Sequence, residues 1–212
     1  MLISFEGVGG AGKTSLSKKV KASLQKKGIE VILLGGFEIQ KKSSTLTRFI
    51  RNELLQKDFF IGLPWLAETH LLISEFLYDM ENSVLPALSE GKIVLYDSYW
   101  DSIYIYQLAR AKINWKLKYD QYRNHLIVIE KSLINIFIPK PDIRLFINCD
   151  QEKINKRINV RNNIKLNTLE IETLKEIKKL YENSLITQDY KIIDNNRKQK
   201  DAVGDILKLL KY

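Results

Sequence analysis

Near its N-terminus the chain reads Gly7-Val8-Gly9-Gly10-Ala11-Gly12-Lys13-Thr14, a glycine followed by four residues and then Gly-Lys-Thr. An apolar run precedes this stretch, and a stretch with apolar residues at helical spacing follows it. Such glycines let backbone N–H groups turn inwards around oxygen anions, and the N-terminus of the following helix adds its positive dipole end. The lysine ammonium can reach the β- and γ-phosphates, and the threonine hydroxyl can bind Mg²⁺. We therefore predict a site for ATP and Mg²⁺ formed by Gly7, Val8, Gly9, Gly10, Ala11, Gly12, Lys13, Thr14 and Ser15.

Apolar runs that are typical of buried strands alternate with amphipathic stretches along the whole chain. Strands are predicted at Leu2–Phe5, Glu30–Leu34, Ile93–Tyr96, Ile143–Asn148 and Tyr190–Ile193. Helices are predicted at Lys13–Lys27, at Thr45–Gln56, from Pro64 towards Leu88 with a bend at Pro86, and at Trp115–Phe137, Leu169–Ile186 and Asp201–Leu210. This alternation predicts an α/β protein with a parallel sheet, helices on both faces and ligands at the carboxyl ends of the strands. Because the glycine loop follows the first strand, the predicted fold is that of the P-loop NTPases.

An aspartate, Asp97, ends the third predicted strand. A carboxylate at a strand end beside a phosphate-binding loop is the expected second residue of the Mg²⁺ site, with Thr14 as the first. The alternative is that Asp97 caps the following helix, since aspartate is a favoured N-cap residue. We favour the metal role for Asp97 and expect capping roles for Asp101 and Asp150.

Composition limits the other classes of function. The chain carries a formal net charge of +9, but its lysines are scattered over predicted helix faces, which favours a solvated surface over a nucleic-acid interface. No apolar run reaches the roughly 18 residues that a membrane span needs. The single cysteine, Cys149, cannot form an internal disulfide, which is typical of a cytoplasmic protein. Two histidines, His70 and His125, have no evident partner and are expected to be structural or exposed.

Several blocks of the sequence resemble the thymidylate kinase family. Phe5-Glu6-Gly7 ahead of the glycine loop resembles the opening of these proteins, and residues 85–99, LPALSEGKIVLYDSY, resemble the block that distinguishes them from other P-loop proteins. The resemblance spans nearly the whole chain. It implies one kinase domain over residues 1–212, with five parallel strands and a basic lid at about 157–168. It also implies transfer of the γ-phosphate of ATP to the 5′-phosphate of dTMP, and a homodimer formed through helices.

The resemblance also implies roles for single residues. Groups that act on the transferred phosphoryl would be Lys13, Asp97, Arg157 and Arg161. Contacts to the acceptor nucleotide would come from Phe76, Tyr99, Tyr106 and Gln107. Arg157 and Arg161 lie four positions apart, so both can face the phosphates from one side of a helix.

Among the departures from the family pattern, three replace charged residues. Gly9 stands where the family has an acidic residue, and Ser98 and Phe76 stand where it has arginines. Charge-assisted hydrogen bonds contribute about 1.5–3 kcal/mol each. The loss of two arginines would weaken acceptor binding by about 100-fold or more, unless cations on the second predicted helix or just before it compensate. The candidates are Lys42, Arg48 and Arg51.

Three functions are therefore open from the sequence. The first is a nucleoside monophosphate kinase that takes dTMP. The second is a kinase of the same fold that acts on a nucleoside or another small hydroxyl compound, which would not need the missing arginines. The third is a nucleotide-binding protein without turnover, although the intact Lys13, Thr14 and Asp97 argue against it.

Overall fold

The computed structural model describes residues 1–35, 64–114, 119–133, 136–163, 165–185 and 189–212. At its centre five strands form one sheet in the order β2-β3-β1-β4-β5, and every neighbouring pair is parallel. The strands are β1 (Leu2–Glu6), β2 (Val31–Gly35), β3 (Ile93–Asp97), β4 (Ile143–Asn148) and β5 (Tyr190–Asp194). The predicted five-stranded parallel sheet is confirmed, and each predicted strand boundary is within one residue of the observed one.

Helices connect the strands and cover the sheet. They are α1 (Lys13–Lys26), α2 (Trp65–Asp79), α3 (Leu85–Ser89), α4 (Trp100–Asn114), α5 (Tyr119–Leu133), α6 (Gln151–Asn162), α7 (Thr168–Leu185) and α8 (Gln199–Leu209). Across the parts of the chain that the structure describes, every helix is too short or too polar to cross a membrane.

Both faces of the sheet are buried under helices. Successive residues of a strand point to opposite faces, and all five residues of β1 are buried. Ile3 and Phe5 join the larger hydrophobic cluster, which includes Leu16 of α1. Leu2 joins a second cluster on the other face, which includes Phe76 of α2. The predicted arrangement of helices on both faces is confirmed.

Helix α4 is not predicted by the sequence. It is buried on most of its surface, and the buried positions include polar residues such as Gln107 and Arg110. A helix of this kind has no single apolar stripe, so the periodicity on which sequence prediction rests is absent. The next predicted helix, Trp115–Phe137, is too long, because α5 ends at Leu133. The helix predicted at Thr45–Gln56 lies outside the described residues.

A π-helical turn, Met80–Val84, interrupts the long helix predicted from Pro64 to Leu88. It lies directly before α3, in which Pro86 is the second residue. Proline has no backbone N–H to donate to the preceding turn of the helix. The sequence predicts a bend at Pro86, and the irregular turn of the helix lies a few residues before it.

Of the two predicted aspartate caps, Asp150 is at the N-cap position and Asp101 is not. Asp150 is the N-cap residue of α6, but its side chain makes no capping hydrogen bond. Asp101 lies inside the first turn of α4, where its carboxylate accepts a hydrogen bond from the Tyr190 hydroxyl (2.7 Å) and lies 3.6 Å from the Arg144 guanidinium. A buried carboxylate needs such partners, and for Asp101 they lie on β4 and β5.

Candidate active site

The glycine loop between β1 and α1 has a backbone conformation that its glycines make possible. Gly7 and Gly12 have φ angles of +137° and +102°, which side chains rarely allow. A Cβ atom at Gly7 would lie 2.8 Å from the carbonyl oxygen of Ile147, and one at Gly12 would collide with the side-chain amide of Asn195. Helix α1 begins directly behind the loop, and no side chain of the described residues caps its first turn. Its N–H groups are thus suited to bind phosphate.

Lys13 is buried and folds back over the loop. Its ammonium donates hydrogen bonds to the carbonyl oxygens of Gly7 (2.7 Å) and Val8 (3.3 Å). The same ammonium lies 6.0 Å from the ring centroid of Tyr106 on α4. The predicted phosphate-binding cation is therefore inside the loop and next to one of the predicted acceptor residues.

The two predicted magnesium residues, Thr14 and Asp97, lie together although 83 positions separate them. β3 is the neighbour of β1, with Phe5 paired to Asp97, so the end of β3 is beside the start of α1. The Thr14 hydroxyl donates a hydrogen bond to Asp97 Oδ2, and the Ser98 hydroxyl donates to Asp97 Oδ1 (3.2 Å). Hydroxyl and carboxylate oxygens are hard donors, and Mg²⁺ is usually bound by one or two carboxylates together with substrate phosphates. The side chains present fit this ion.

Arg157 of α6 lies against the glycine loop. Its guanidinium donates hydrogen bonds to the carbonyl oxygens of Ala11 (3.1 Å), Gly10 (3.4 Å) and Asn195 (3.4 Å). Arg161 lies one turn further along α6, and its side chain is outside the described part. Of the predicted pair of lid arginines, the structure brings Arg157 to the loop.

The predicted lid, residues 157–168, comprises the end of α6 and the turn into α7. The Asn159 side chain holds this turn by accepting a hydrogen bond from the Leu166 N–H (3.1 Å). Asn167 and Glu170 then form reciprocal hydrogen bonds at the start of α7, the arrangement known as a capping box. The turn into α7 is thus held by local hydrogen bonds.

Asn195 contacts the glycine loop and was not predicted from the sequence. It follows β5 directly, is fully buried, and donates a hydrogen bond from Nδ2 to the carbonyl oxygen of Ala11 (2.6 Å). Its Oδ1 atom is buried without a hydrogen bond within the described ranges. The available signal was its place at the carboxyl end of a parallel strand, where ligands bind in such sheets.

Glu6 is a second residue that the sequence did not single out. It is the last residue of β1, directly before the glycine loop, and it is fully buried. Its carboxyl oxygen Oε2 accepts hydrogen bonds from the hydroxyls of Ser102 on α4 and Tyr181 on α7. Burial and the nearby Asp101 carboxylate raise the pKa of Glu6 to about 8, so it is neutral at pH 7. A charged residue inside an apolar strand was the signal that could have identified it.

The predicted acceptor residues differ in what they contact. The Tyr106 hydroxyl lies near the glycine loop, 3.4 Å from the carbonyl oxygen of Gly7. Gln107 is buried, with its amide donating to Glu68 (2.8 Å) and accepting from Thr69 (2.9 Å). Glu68 also forms a buried ion pair with Arg110. Gln107 is thus held by side chains of α2, and its contact with an acceptor stays a prediction.

Phe76 and Tyr99 pack against each other in the second hydrophobic cluster, with ring centroids 5.0 Å apart. Phe76 is 1% exposed, and the Tyr99 hydroxyl donates a hydrogen bond to the carbonyl oxygen of Pro139 (2.8 Å). Their contacts with an acceptor also stay predictions. The cations proposed to compensate for the missing arginines, Lys42, Arg48 and Arg51, lie outside the described residues.

Known proteins match this chain over nearly its whole length. A model of the family described as thymidylate kinase matches residues 5–206. This chain belongs to the thymidylate kinase family. It is 26% identical over 214 aligned positions to the probable thymidylate kinase of Pyrococcus horikoshii, covering 99% of this chain and 95% of that protein.

Two bacterial relatives are more similar over shorter matches. The thymidylate kinase of Thermoanaerobacter sp. strain X514 is 35% identical over 159 positions, which cover 73% of this chain and 68% of the relative. That of Caldanaerobacter subterraneus subsp. tengcongensis is 34% identical over 187 positions, which cover 86% and 79%. As a member of the thymidylate kinase family, the protein is a nucleoside monophosphate kinase and thus a phosphotransferase.

Proposed function

We propose that the protein transfers the γ-phosphate of ATP to the 5′-phosphate of dTMP, giving ADP and dTDP. The observation that carries the proposal is the meeting of Thr14 and Asp97 beside a glycine loop, in a chain of the thymidylate kinase family. Phosphoryl transfer needs positioning and positive charge rather than covalent chemistry from the protein. The proposed catalytic domain comprises residues 1–212, with residues 157–168 as its lid.

The donor side of the proposed site binds ATP. Backbone N–H groups of Gly7 to Ser15 hold the phosphates, and the ammonium of Lys13 exchanges its carbonyl contacts for phosphate oxygens. Thr14 and Asp97 would hold Mg²⁺, which would supply positive charge to the phosphates of ATP. Glycine angles and neighbouring side chains fix the loop before ligand arrives, which lowers the cost of ordering it on binding.

The lid side supplies further positive charge. Arg157 already contacts the loop at Ala11, and in the proposal it faces the transferring phosphoryl group together with Arg161. Both stand on one helix, four residues apart, so one movement of α6 would bring both towards the phosphates.

The acceptor side of the proposal comprises Tyr106 with Gln107, Tyr99 and Phe76. Tyr106 is the member of this group nearest to the donor loop. In this position it would orient the acceptor nucleotide so that its phosphate oxygen attacks in line with the leaving ADP. Gln107, Tyr99 and Phe76 are buried, and in the proposal they pack behind Tyr106 and hold the acceptor side in shape.

A coupled ADP-release assay with a panel of acceptors tests the proposal. We expect ADP formation that depends on dTMP and is much slower with other monophosphates and with thymidine. Lys13→Ala should reduce kcat by about 10²–10³-fold, since it removes charge stabilisation of the transition state. Lys26→Ala, at the exposed far end of the same helix, is the matched control and should leave kcat unchanged. ATP hydrolysis that is independent of acceptor would contradict the proposal.

A homodimer in the cytoplasm completes the proposal. Exposed apolar side chains lie on the helices expected to mediate association, with Leu66 and Tyr78 on α2 and Val128 on α5. Cys149 is buried and free, as suits a reducing compartment. Light scattering during size-exclusion chromatography should give twice the mass of the 24.7 kDa chain, and the mass of one chain would rule the dimer out.

A further inference from the structure

The two histidines of the chain, for which the sequence shows no evident partner, contact each other. His70 lies on α2 and His125 on α5, 55 positions apart. Their Nε2 atoms are 3.2 Å apart, and their ring centroids are 5.3 Å apart at an interplanar angle of 72°. The sequence shows no evident partner for either histidine, because the packing of two separate helices, which periodicity does not reveal, brings them together; His70 is exposed, as expected.

The short distance between the two Nε2 atoms limits the protonation states of the two rings. Two protonated rings cannot face each other through Nε2, because each would present an N–H donor and a positive charge. Neutral imidazole nitrogens can share either a proton or a metal ion, and imidazole is the commonest protein ligand of zinc and related cations.

The distance between the nitrogens suits a shared metal ion. Zinc–nitrogen bonds are about 2.0–2.1 Å and structural sites are tetrahedral, so two imidazole nitrogens on one ion lie about 3.3 Å apart. The observed Nε2···Nε2 distance is 3.2 Å. No large movement of either helix is therefore needed to admit an ion between the two rings.

Surrounding aromatic residues support the pair. Trp65 stacks on Tyr122 with ring centroids 4.3 Å apart, and its ring edge contacts His125 with centroids 6.1 Å apart. The Trp65 indole N–H donates to the carbonyl oxygen of Gln107 (2.9 Å), which fixes the stack to α4. His125 thus packs against rigid aromatic side chains, whereas His70 is exposed in the single chain. Ligands held on rigid helices make more exact metal sites than ligands on loops.

We propose that His70 and His125 together bind one divalent transition-metal ion of the zinc, nickel or copper class through their Nε2 atoms. Among the described residues no third His, Cys, Asp or Glu joins them, so water fills the remaining positions. The ion joins α2 to α5. The site is distinct from the proposed Mg²⁺ site, because nitrogen ligands select transition metals, whereas the oxygens of Thr14 and Asp97 select Mg²⁺.

Calorimetric titration of the full chain with Zn²⁺ tests the site, with His70→Ala and His125→Ala as variants. Loss of even an outer partner of a metal ligand costs about 10- to 100-fold in affinity, so each variant should lose at least that much. The double variant should lose little more, because the two ligands act together. Ser74→Ala, one turn along α2, is the matched control and should bind Zn²⁺ as the unaltered chain does.

Two further measurements decide between the site and its alternatives. Cu²⁺ bound to the unaltered chain should show two nitrogen ligands by electron paramagnetic resonance, a result that needs no variant to fold. One nitrogen or none would overturn the proposal. So would equal Zn²⁺ affinity in the chain and in His70→Ala, or loss of the Zn²⁺ site in Asp97→Asn instead. The alternative is that the two rings share a proton and bind no metal. In that case the histidine variants would be less stable, and Zn²⁺ would change the melting temperature of neither the variants nor the unaltered chain.

Discussion

The donor and acceptor sides of the candidate site are held by different kinds of contact. On the donor side, Lys13, Arg157 and Asn195 donate hydrogen bonds to main-chain carbonyls of the glycine loop. On the acceptor side, Glu68 and Gln107 contact each other through their side chains, within a buried polar group that joins α2 to α4. Main-chain geometry is kept when side chains change, whereas a side-chain network depends on every member. Substitutions on the donor side should therefore impair ligand binding, and those on the acceptor side should first impair stability.

The largest expected effect is on the acceptor side, for Arg110→Met. Its guanidinium is paired with Glu68, and both side chains are about 95% buried. Removal of one partner leaves a buried charge unpaired, which typically costs about 3–5 kcal/mol. Urea denaturation should show this loss in the free energy of unfolding. The double variant Glu68→Gln/Arg110→Met should recover a large part of it, and an equal or greater loss in the double variant would contradict the pairing.

Gly12→Ala should give the second largest effect, now on the donor side. Alanine at a φ of +102° is strained, and its Cβ would collide with Asn195. The loop must then shift, and we expect ATP affinity to fall about 100-fold, equivalent to about 2.7 kcal/mol. Calorimetric titration with ATP measures this. Gly204→Ala on α8 is the matched control, since a Cβ there meets no atom within 4 Å. If Gly12→Ala keeps the ATP affinity of the unaltered chain, the claim that substitutions on the donor side impair ligand binding is wrong.

Glu6→Gln tests the link between the two sides, since Glu6 joins the start of the loop to Ser102 on α4. The folded state holds the proton up to a pKa of about 8, whereas the unfolded chain releases it near 4.5. This group therefore lowers the free energy of unfolding as pH rises between these values, by at most about 1.4 kcal/mol per pH unit. Glutamine is neutral at every pH. The free energy of unfolding of the variant, relative to that of the unaltered chain, should therefore rise from pH 5 to pH 8 and stay constant above pH 8.

Urea denaturation at several pH values gives this comparison. Glu182→Gln, an exposed position next to Tyr181, serves as the control and should follow the unaltered chain at every pH. Parallel stability curves for Glu6→Gln and the unaltered chain would show that Glu6 is ionised in the folded protein.

Tyr106→Phe should give the smallest effect. Its hydroxyl lies 3.4 Å from the carbonyl oxygen of Gly7, a long hydrogen bond worth about 0.5–1.5 kcal/mol at most. We expect a change of less than about tenfold in kcat/KM for dTMP, with little change in melting temperature. Tyr212→Phe at the exposed C-terminus is the control. A loss of stability as large as that of Arg110→Met would place Tyr106 in the side-chain network instead.

On the donor side the sequence predicts the glycine loop and the meeting of Thr14 with Asp97, because their geometry is local or follows from topology, whereas it does not predict Asn195. The glycine loop is one continuous segment, and the meeting of Thr14 with Asp97 follows from parallel strands whose carboxyl ends lie at one edge of the sheet. The acceptor side is different because its residues depend on helix packing. Gln107 is held by α2, and α4 itself lacks the apolar stripe that reveals a helix. The pairing of His70 with His125 is non-local in the same way.

The π-helical turn Met80–Val84 has a consequence for residue numbering across the family. A π turn holds one residue more than an α turn of the same helix. A relative whose helix continues without it is therefore one residue shorter between Phe76 and Pro86. In an alignment with such a relative, residues of α2 are matched by counting forward from Trp65. Residues from Pro86 onwards are matched by counting back from Asp97. The inserted residue belongs within Met80–Val84.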